Sequence, residues 1–247
     1  MPSQATSAVV LLGGGLDSTT VLALAAAAGR DTYALSFRYG QRHEVELECA
    51  SRQARRLGAR AHEIVDLAHI APLVAAATSL VRGSPLAVPR DGVPGVGPIP
   101  STYVPARNTL FLAYALAWAE ALGAREIWLG VNALDYSGYP DCRPEFIAAF
   151  QHLADLATRA GVEGRSIVLQ TPLLQWTKAQ IVAAGHGLDV DYADTVSCYD
   201  PSVQGDAVLA CGRCDSCQLR RQGFAQAGVR DPTCYVTEAV AGPVAGP

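Results

Sequence analysis

The sequence predicts an α/β fold with a doubly wound, Rossmann-like parallel sheet. Short runs rich in β-branched residues alternate with alanine-rich runs of helical length over most of the chain. Such alternation is typical of βαβ units, in which a helix crosses over between two parallel strands. A glycine cluster lies between the first predicted strand and the first predicted helix, a position at which folds of this class bind ligands.

Each element follows from a local signal. One predicted helix ends at Gly123, a residue that tolerates a left-handed backbone. Another begins with Pro144, whose ring suits a first helical position, and Thr177 with Gln180 forms a capping-box pattern before the last helix. Five apolar runs predict strands over residues 8–12, 32–37, 61–67, 127–131 and 166–170, and alanine-rich runs predict helices over residues 17–29, 43–58, 109–122, 144–160 and 178–184.

The composition is that of a folded globular protein. The chain has 247 residues, of which 50% are hydrophobic and 17% are charged, and its formal net charge is −4. A net acidic chain disfavours stable binding to nucleic acid or to anionic membranes through bulk charge. No apolar run reaches the ~20 residues of a membrane span, and the first residues lack the basic start of a signal peptide. We therefore expect a cytoplasmic protein that acts without a membrane.

Residues 13–18, Gly-Gly-Gly-Leu-Asp-Ser, lie where the first strand passes into a helix. Glycines let backbone N–H groups approach an anion closely, and the start of a helix carries the positive end of its dipole. The segment lacks the lysine of a Walker loop, and Ser18 stands where a dinucleotide fingerprint has its third glycine. The remaining interpretations are a pyrophosphate-binding loop and an ordinary glycine turn before a capped helix.

Lys178 and Arg107 both lie at the start of predicted helices, where a cation opposes the helix dipole. A bound anion explains such a placement, because it attracts the cation and the helix N-terminus alike. Lys178 is also the only lysine of the chain. We therefore predict that both side chains bind phosphate, with a solvated surface position as the alternative for Lys178.

Four cysteines form a cluster near the C-terminus with the spacing Cys-x12-Cys-x2-Cys-x2-Cys: Cys198, Cys211, Cys214 and Cys217. Four thiolates complete the tetrahedral coordination of Zn²⁺ and leave no position open for a substrate. The spacing therefore predicts a structural zinc site. An iron–sulfur cluster and four reduced, unliganded thiols are the alternatives.

Polar residues follow the carboxyl ends of the predicted strands, where ligands bind in folds of this class. The longest such stretch, residues 132–146, holds tyrosines that can stack on a planar heterocycle and an arginine that can pair with a carboxylate. A polar loop packed by its own side chains is the alternative. The substrate-binding candidates in this stretch and two others are Tyr39, Gln41, Arg42, His43, Asn108, Asn132, Asp135, Tyr136, Tyr139, Asp141 and Arg143.

We expect three parts along the chain: a nucleotide-binding α/β domain over residues 1–190, a zinc-binding segment over 191–235 and a frayed tail over 236–247. Inside the first part, residues 83–106 hold six prolines and four glycines, which excludes a regular helix or strand. An irregular stretch of this length is typical of a functional lid or of a disordered segment. A lid over the site is the interpretation that we favour.

The glycine loop resembles that of the PP-loop ATP pyrophosphatases, whose pattern is Ser-Gly-Gly-x-Asp-Ser, except that Gly13 stands in the place of the first serine. Together with residues 39–43, 103–108 and 130–146 and with the cysteine cluster, the loop makes the chain similar to the 7-cyano-7-deazaguanine synthases of queuosine biosynthesis. The similarity extends over most of the chain, and the shared order of the motifs makes it specific. It implies a fold like that of the adenine-nucleotide α-hydrolases.

The resemblance implies a carbon–nitrogen ligase that converts 7-carboxy-7-deazaguanine and ammonia to 7-cyano-7-deazaguanine. One ATP, with Mg²⁺, would activate the acid for amide formation, and a second ATP would activate the amide for dehydration to the nitrile. Structural zinc and a homodimer are further implications. ATP is expected to contact Leu11, Leu12, Gly13, Gly14, Gly15, Leu16, Asp17, Ser18, Thr19, Thr20 and Val21, and the catalytic candidates are Asp17, Ser18, Arg107 and Lys178.

Three other functions share some of these features. Some PP-loop enzymes with clustered cysteines thiolate tRNA, but they need a basic surface and a catalytic thiol pair, whereas this chain is acidic and its clustered thiols fit zinc. A synthase that serves a deazapurine natural product would carry the same motifs, and so would a relative that binds nucleotide without catalysis. Consumption of the deazapurine acid with ATP and ammonia, in the absence of tRNA, separates the favoured function from the thiolase and from the non-catalytic relative.

Overall fold

The computed structural model describes residues 6–92, 98–132, 138–205 and 207–236. The main sheet has five strands, all parallel, and a separate antiparallel hairpin lies near the C-terminus. The strands of the sheet are β1 (Ser7–Leu11), β2 (Asp31–Arg38), β3 (Ala61–Asp66), β4 (Glu126–Trp128) and β5 (Val168–Gln170), and those of the hairpin are β6 (Ser202–Gln204) and β7 (Ala207–Leu209). The order in the sheet is β3-β2-β1-β4-β5.

Helices connect the strands and cover both faces of the sheet, which confirms the predicted doubly wound α/β fold. Their bounds are α1 (Leu16–Ala27), α2 (Val45–Arg56), α3 (Ala71–Val74), α4 (Arg107–Leu122), α5 (Pro144–Ala157), α6 (Arg159–Val162), α7 (Lys178–Gly187) and α8 (Asp215–Ala227). In the described part of the chain, no helix combines the length and the apolar character that crossing a bilayer requires.

The two faces of the sheet have separate apolar layers. Successive side chains of a strand point to opposite faces, so Val9 packs in the layer with Leu112 of α4 and Phe150 of α5. Val10 packs in the other layer, which α1, α2, α7 and α8 cover and which includes Leu22. The chain order reverses between β1 and β4, and in sheets of this kind a ligand crevice opens at that point, beyond the carboxyl ends of the strands.

All five predicted strands and all five predicted helices are present, with shifts at their ends. Strand β4 ends at Trp128, three residues earlier than expected, and helix α5 ends at Ala157 because Thr158 adopts an extended conformation. The predicted capping box at the start of α7 is confirmed, since Thr177 and Gln180 bond to each other's backbone N–H groups. Helix α8 and the β6–β7 hairpin were not predicted.

The proline- and glycine-rich stretch 83–106 has no helix or strand among its described residues. Its middle is attached to the cysteine segment, residues 191–235. The Asp91 N–H donates to the carbonyl of Arg213 at 2.9 Å, and the Asp91 carboxylate accepts from the Arg213 side chain. Arg90 pairs with Asp200 of the same segment. Val88 and Val104 are buried in the apolar layer on the α4 side. The stretch is therefore packed against the protein at both described ends.

One buried arginine links distant parts of the C-terminal segment, residues 191–235, to one another. Arg220 of α8 is only 2% exposed, and its guanidinium donates to the Asp231 carboxylate at 3.1 Å, to the Thr195 hydroxyl and to the carbonyl of Tyr192. It also lies over the ring of Phe224. This set of contacts satisfies a charge that would otherwise be costly to bury.

We predict that Arg220→Ala lowers the free energy of unfolding by about 3 kcal/mol, because the Asp231 carboxylate loses its buried cationic partner and two further oxygen atoms lose the guanidinium as a donor. Urea-induced unfolding followed by circular dichroism measures the change. Arg230→Ala is the matched control, since Arg230 is exposed. Its loss should change the free energy of unfolding by no more than about 0.5 kcal/mol. Equal midpoints for the two variants would show that the buried arginine does not stabilise the fold.

Candidate active site

A cavity of about 280 Å³ opens at the carboxyl ends of β1, β2 and β4. It is the predicted place for a ligand in this topology. It brings together the glycine loop, the end of β2, the start of α2, the start of α4 and the segment before α8. Among the predicted site residues, those that line it are Leu11, Leu12, Gly13, Gly15, Leu16, Asp17, Ser18, Tyr39, Gln41, Arg107, Asn108 and Tyr139.

The glycine loop is held by a backbone contact that excludes side chains. Gly14 has a φ of +78°, and a Cβ at this position would overlap the carbonyl oxygen of Glu46 at the start of α2. The Gly14 carbonyl accepts from the N–H of Val196 at 3.0 Å. The Gly13 N–H donates to the Ser18 hydroxyl at 3.1 Å, so this hydroxyl also shapes the loop. Only glycine fits at residue 14 without moving α2.

The N-terminus of α1 faces the cavity without a side-chain cap. Its first N–H groups have no partner within the helix, and the positive end of the dipole lies there. Backbone donors of this kind bind phosphate in many nucleotide sites. The arrangement therefore supplies the anion-binding loop that the sequence predicts.

Lys178 reaches the same place from α7. Its Nζ lies 2.8 Å and 2.7 Å from the two carboxylate oxygens of Asp17, and the Asn132 amide lies 3.4 Å from one of them. A Cβ on Gly223 of α8 would overlap the Lys178 side chain, so α8 packs directly on the lysine. Lys178 is mostly buried beside the glycine loop and is not a solvated surface residue.

Arg107 enters the cavity because the chain turns sharply before α4. Ala106 adopts a left-handed conformation, with φ 53°, which is unfavourable for a residue that carries a Cβ. The guanidinium of Arg107 lies 6.0 Å from the centre of the Phe111 ring. Burial lowers the pKa of Arg107, but the nearby Tyr39, Cys142 and Asp141 raise it and prevail. The cavity thus holds a permanent positive charge at this end.

The start of α4 is fixed by the turn that carries Asp141. The Asp141 carboxylate accepts from the Asn108 N–H at 2.9 Å, and the Asn108 amide donates to the Asp141 carbonyl at 2.9 Å and to the Cys142 sulfur at 3.2 Å. Asp141 is buried and does not line the cavity. In this structure, Asp141 and Asn108 hold the helix that carries Arg107.

Aromatic rings form one wall of the cavity. Phe37 and Phe111 stack with their centres 4.0 Å apart and their planes at 4°. Tyr139 bonds to the hydroxyls of Thr102, at 2.9 Å, and Tyr199, at 3.2 Å. Burial raises the pKa of Tyr39, against the opposing effect of the Arg107 guanidinium. Rings held in this way can stack on a planar heterocycle.

Glu46 is a cavity residue that the sequence analysis missed. It lies in the first turn of α2, where an acidic residue is common because it interacts favourably with the helix dipole, so its presence gives no sign of a functional role. Glu46 and Arg107 both line the cavity. Burial raises the pKa of Glu46 to about 7, while the Arg107 guanidinium acts in the opposite direction. Glu46 therefore changes its protonation state near neutral pH.

Other predicted site residues lie beside the cavity without lining it. Arg42 donates to the carbonyl oxygens of Ser79 and Leu86. His43 lies 3.6 Å from an Asp200 oxygen, and burial lowers its pKa while that carboxylate raises it. Arg143 is exposed at the start of α5. Thr19 and Thr20 are buried, as is Val21, all inside α1. Gly14 is a buried residue of the loop itself and does not line the cavity. Asp135 and Tyr136 lie outside the described residues.

The four clustered cysteines converge as predicted. Their sulfur atoms all lie within 4.8 Å of one another, and those of Cys211 and Cys217 are 4.0 Å apart. Tetrahedral Zn–S bonds of about 2.3 Å place sulfur atoms about 3.8 Å apart, so the cluster can hold one metal ion. Hydrogen bonds from Cys198 and Cys217 lower the pKa of Cys214, which favours a thiolate in the cluster.

Known proteins are similar in sequence to nearly the whole chain. The chain is 58% identical to 7-cyano-7-deazaguanine synthase of Geobacter metallireducens, over 93% of each chain. It is 57% identical to the enzyme of the same name from Cupriavidus metallidurans, over 93% of this chain and 97% of the relative. Among solved structures, NMN synthetase from Francisella tularensis aligns with a TM-score of 0.49 and 18% identity, over 92% of this chain and 79% of that chain.

The chain matches the family that its motifs resemble. The family described as "Queuosine biosynthesis protein QueC" matches residues 7–228, a range that includes the glycine loop, the cavity residues and all four clustered cysteines. Residues 7–228 also contain all the strands and helices found in the described part of the chain. The chain belongs to the QueC family of queuosine biosynthesis proteins.

Proposed function

We propose that the protein is a 7-cyano-7-deazaguanine synthase, which joins 7-carboxy-7-deazaguanine to ammonia at the expense of ATP and dehydrates the resulting amide to the nitrile. The observation that carries the proposal is one cavity in which an uncapped helix N-terminus and a glycine loop face Arg107 and an aromatic wall. Near-full-length relatives at 57–58% identity bear this name.

The side chains of the cavity fit the parts of this reaction. The loop 13–18 and the first turn of α1 bind the pyrophosphate of ATP through backbone N–H groups. Lys178 and Arg107 balance negative charge beside the leaving group, and preorganised charges of this kind stabilise the transition state. Tyr39 and Tyr139 hold the planar deazapurine. The stretch 83–106 acts as the lid that keeps water from the reactive adenylate.

Two metal ions belong to the proposal. A structural Zn²⁺ is held by the four clustered cysteines and fixes the segment that lies under the stretch 83–106. Mg²⁺ accompanies ATP, and the Asp17 carboxylate offers oxygen ligands of the kind that Mg²⁺ prefers. When bound, Mg²⁺ supplies positive charge for the phosphates. We propose further that the protein is a cytoplasmic homodimer, to be checked by light scattering.

The test is a reaction of the purified protein with 7-carboxy-7-deazaguanine, MgATP and ammonium, without tRNA. Mass spectrometry should show the amide and then the nitrile, with AMP and pyrophosphate as co-products. A requirement for tRNA would favour the thiolase alternative. ATP binding without consumption of the acid would favour the non-catalytic relative.

A second prediction concerns Gly13, which lacks the hydroxyl of the PP-loop pattern. A Cβ at residue 13 would meet only the Ser18 hydroxyl, at 3.8 Å, so the loop has room for a side chain. A hydrogen bond to a charged group is worth ~1.5–3 kcal/mol, so Gly13→Ser should tighten ATP binding by about tenfold or more. Isothermal titration calorimetry measures the affinity. Gly13→Ala is the matched control, since it adds the Cβ without the hydroxyl and should give no gain.

If Gly13→Ser and Gly13→Ala bind ATP equally well, the serine hydroxyl is dispensable in this loop. If the natural chain is inactive and Gly13→Ser is active, the chain is a weakened or repurposed member of the family. The expected result is an active natural enzyme with a stronger Gly13→Ser variant, because the backbone donors and Lys178 remain in place in both.

A third prediction concerns the metal. Elemental analysis of the purified protein should find about one zinc per chain, and Cys211→Ser should lose it and unfold the C-terminal segment, because metal binding and folding are coupled in such sites. Cys234→Ser is the matched control, since Cys234 is exposed and lies outside the four-thiol cluster. Stoichiometric iron with visible absorption, or full zinc content in Cys211→Ser, would contradict the assignment.

A further inference from the structure

We propose that Glu46 is the catalytic base of the ammonia-dependent step, which accepts the proton from the attacking nitrogen as the carbon–nitrogen bond forms. The inference rests on the proposed function, because it assigns a role within that reaction. It follows from where Glu46 lies, from the lack of a hydrogen-bond partner for its carboxylate among the described residues and from the chemistry of the other cavity groups.

Glu46 lines the cavity next to the glycine loop and within electrostatic range of Arg107. Its backbone carbonyl lies beside Gly14 of the loop, and the Arg107 guanidinium acts on its carboxyl group. An acyl adenylate has its reacting carbon beside the α-phosphate, so it must lie between the pyrophosphate loop and the deazapurine. The Glu46 carboxylate is therefore close to the reacting carbon and not at the far edge of the heterocycle.

The carboxylate of Glu46 is also free to act. Two carboxylates line the cavity in the described part of the chain, Asp17 and Glu46. Both oxygens of Asp17 accept hydrogen bonds from the Lys178 ammonium group. No hydrogen bond to the Glu46 carboxylate is found among the described residues, although Arg107 attracts it electrostatically. Glu46 can therefore take a proton without breaking a bond.

The other titratable groups of the cavity are poorly suited to this role. The phenol Tyr39 has a pKa raised by burial, so it stays protonated near neutral pH. Burial raises the pKa of Glu46 to about 7, which matches a base that must accept and release protons at neutral pH. The titratable or charged groups that line the same cavity or interact with Glu46 are Asp17 of α1, Tyr39 after β2, Cys49 of its own helix, Arg107 of α4, Tyr139 and Cys142 before α5, and Tyr199 of the segment 191–235.

The step balances with the proposed reactants. The lone pair of ammonia attacks the carbonyl carbon of the acyl adenylate and forms the C–N bond. The C–O bond to the phosphate breaks, and its electron pair leaves with AMP. The nitrogen gives up one proton to the Glu46 carboxylate, which later releases it to solvent, so the products are the amide, AMP and one proton.

The test separates the two halves of the reaction in wild type and Glu46→Gln. Acid-dependent exchange of labelled pyrophosphate into ATP reports adenylation, and amide formation from ammonium reports the nitrogen step. We expect Glu46→Gln to keep the exchange and to form amide about 100-fold more slowly, the size of effect typical of a lost general base. Glu48→Gln is the matched control on the same helix, since Glu48 is exposed, and it should change neither rate.

The pH dependence adds a readout that a structural role would not move. A base must be deprotonated to act, so the ratio of wild-type to Glu46→Gln amide rates should rise as pH increases through about 7. Taking the ratio cancels the ionisation of ammonium itself. Glu46→Asp retains a carboxylate and should restore part of the rate together with the rise.

Three results would overturn the assignment. Loss of pyrophosphate exchange in Glu46→Gln would place Glu46 in adenylation or folding, and a raised KM for the acid with unchanged kcat would make it a binding residue. Equal amide rates in wild type and Glu46→Gln would leave it without a role. If wild type itself shows no acid-dependent exchange, the proposed function fails, and the role of Glu46 fails with it.

Discussion

The close contact between Gly14 and the start of α2 is the constraint on which the site depends. Since a side chain at residue 14 would overlap the Glu46 carbonyl, the glycine loop and α2 can approach only when this position lacks a Cβ. The contact fixes the loop below the cavity and places the first turn of α2 on the cavity wall. It thereby joins the predicted phosphate-binding loop to Glu46, a carboxylate that no sequence motif indicated. One backbone contact thus brings the glycine loop and the first turn of α2 to the same cavity.

The second determinant is the C-terminal segment, which completes the site from the side of α1. Helix α8 packs against Lys178 through Gly223, and this contact keeps the lysine beside Asp17 and the glycine loop. The same segment provides Tyr199 to the cavity wall and binds the middle of the stretch 83–106 through Arg213. The clustered thiols are close to these contacts along the chain, since Cys198 directly precedes Tyr199 and Cys214 directly follows Arg213. A metal held there would therefore stabilise the cavity wall and the attachment of the proposed lid together.

The sequence was sufficient to predict the fold class, the succession of strands and helices along most of the chain and the cysteine cluster, because these depend on periodicity and spacing. It was not sufficient for roles that depend on which neighbour a side chain meets. Asp141 was predicted to contact substrate, but in the structure it is buried against Asn108, and Arg143 is exposed. Glu46 was missed because an acidic residue in a first helical turn is common. Helix α8 was missed because its polar residues and Gly223 interrupt the apolar pattern, whereas in the structure the contacts of the buried Arg220 hold the helix in place.

The central claim is that ATP activates the carboxylate oxygen of the substrate through adenylation in this cavity. The most direct measurement uses 7-carboxy-7-deazaguanine labelled with ¹⁸O in both carboxylate oxygens, with ATP and ammonia, followed by mass spectrometry of the products. The account predicts that both labelled oxygens are lost from the nitrile, that each is transferred to the phosphate of an AMP and that pyrophosphate carries no label. Label in pyrophosphate or in inorganic phosphate, or labelled water with unlabelled AMP, would contradict it.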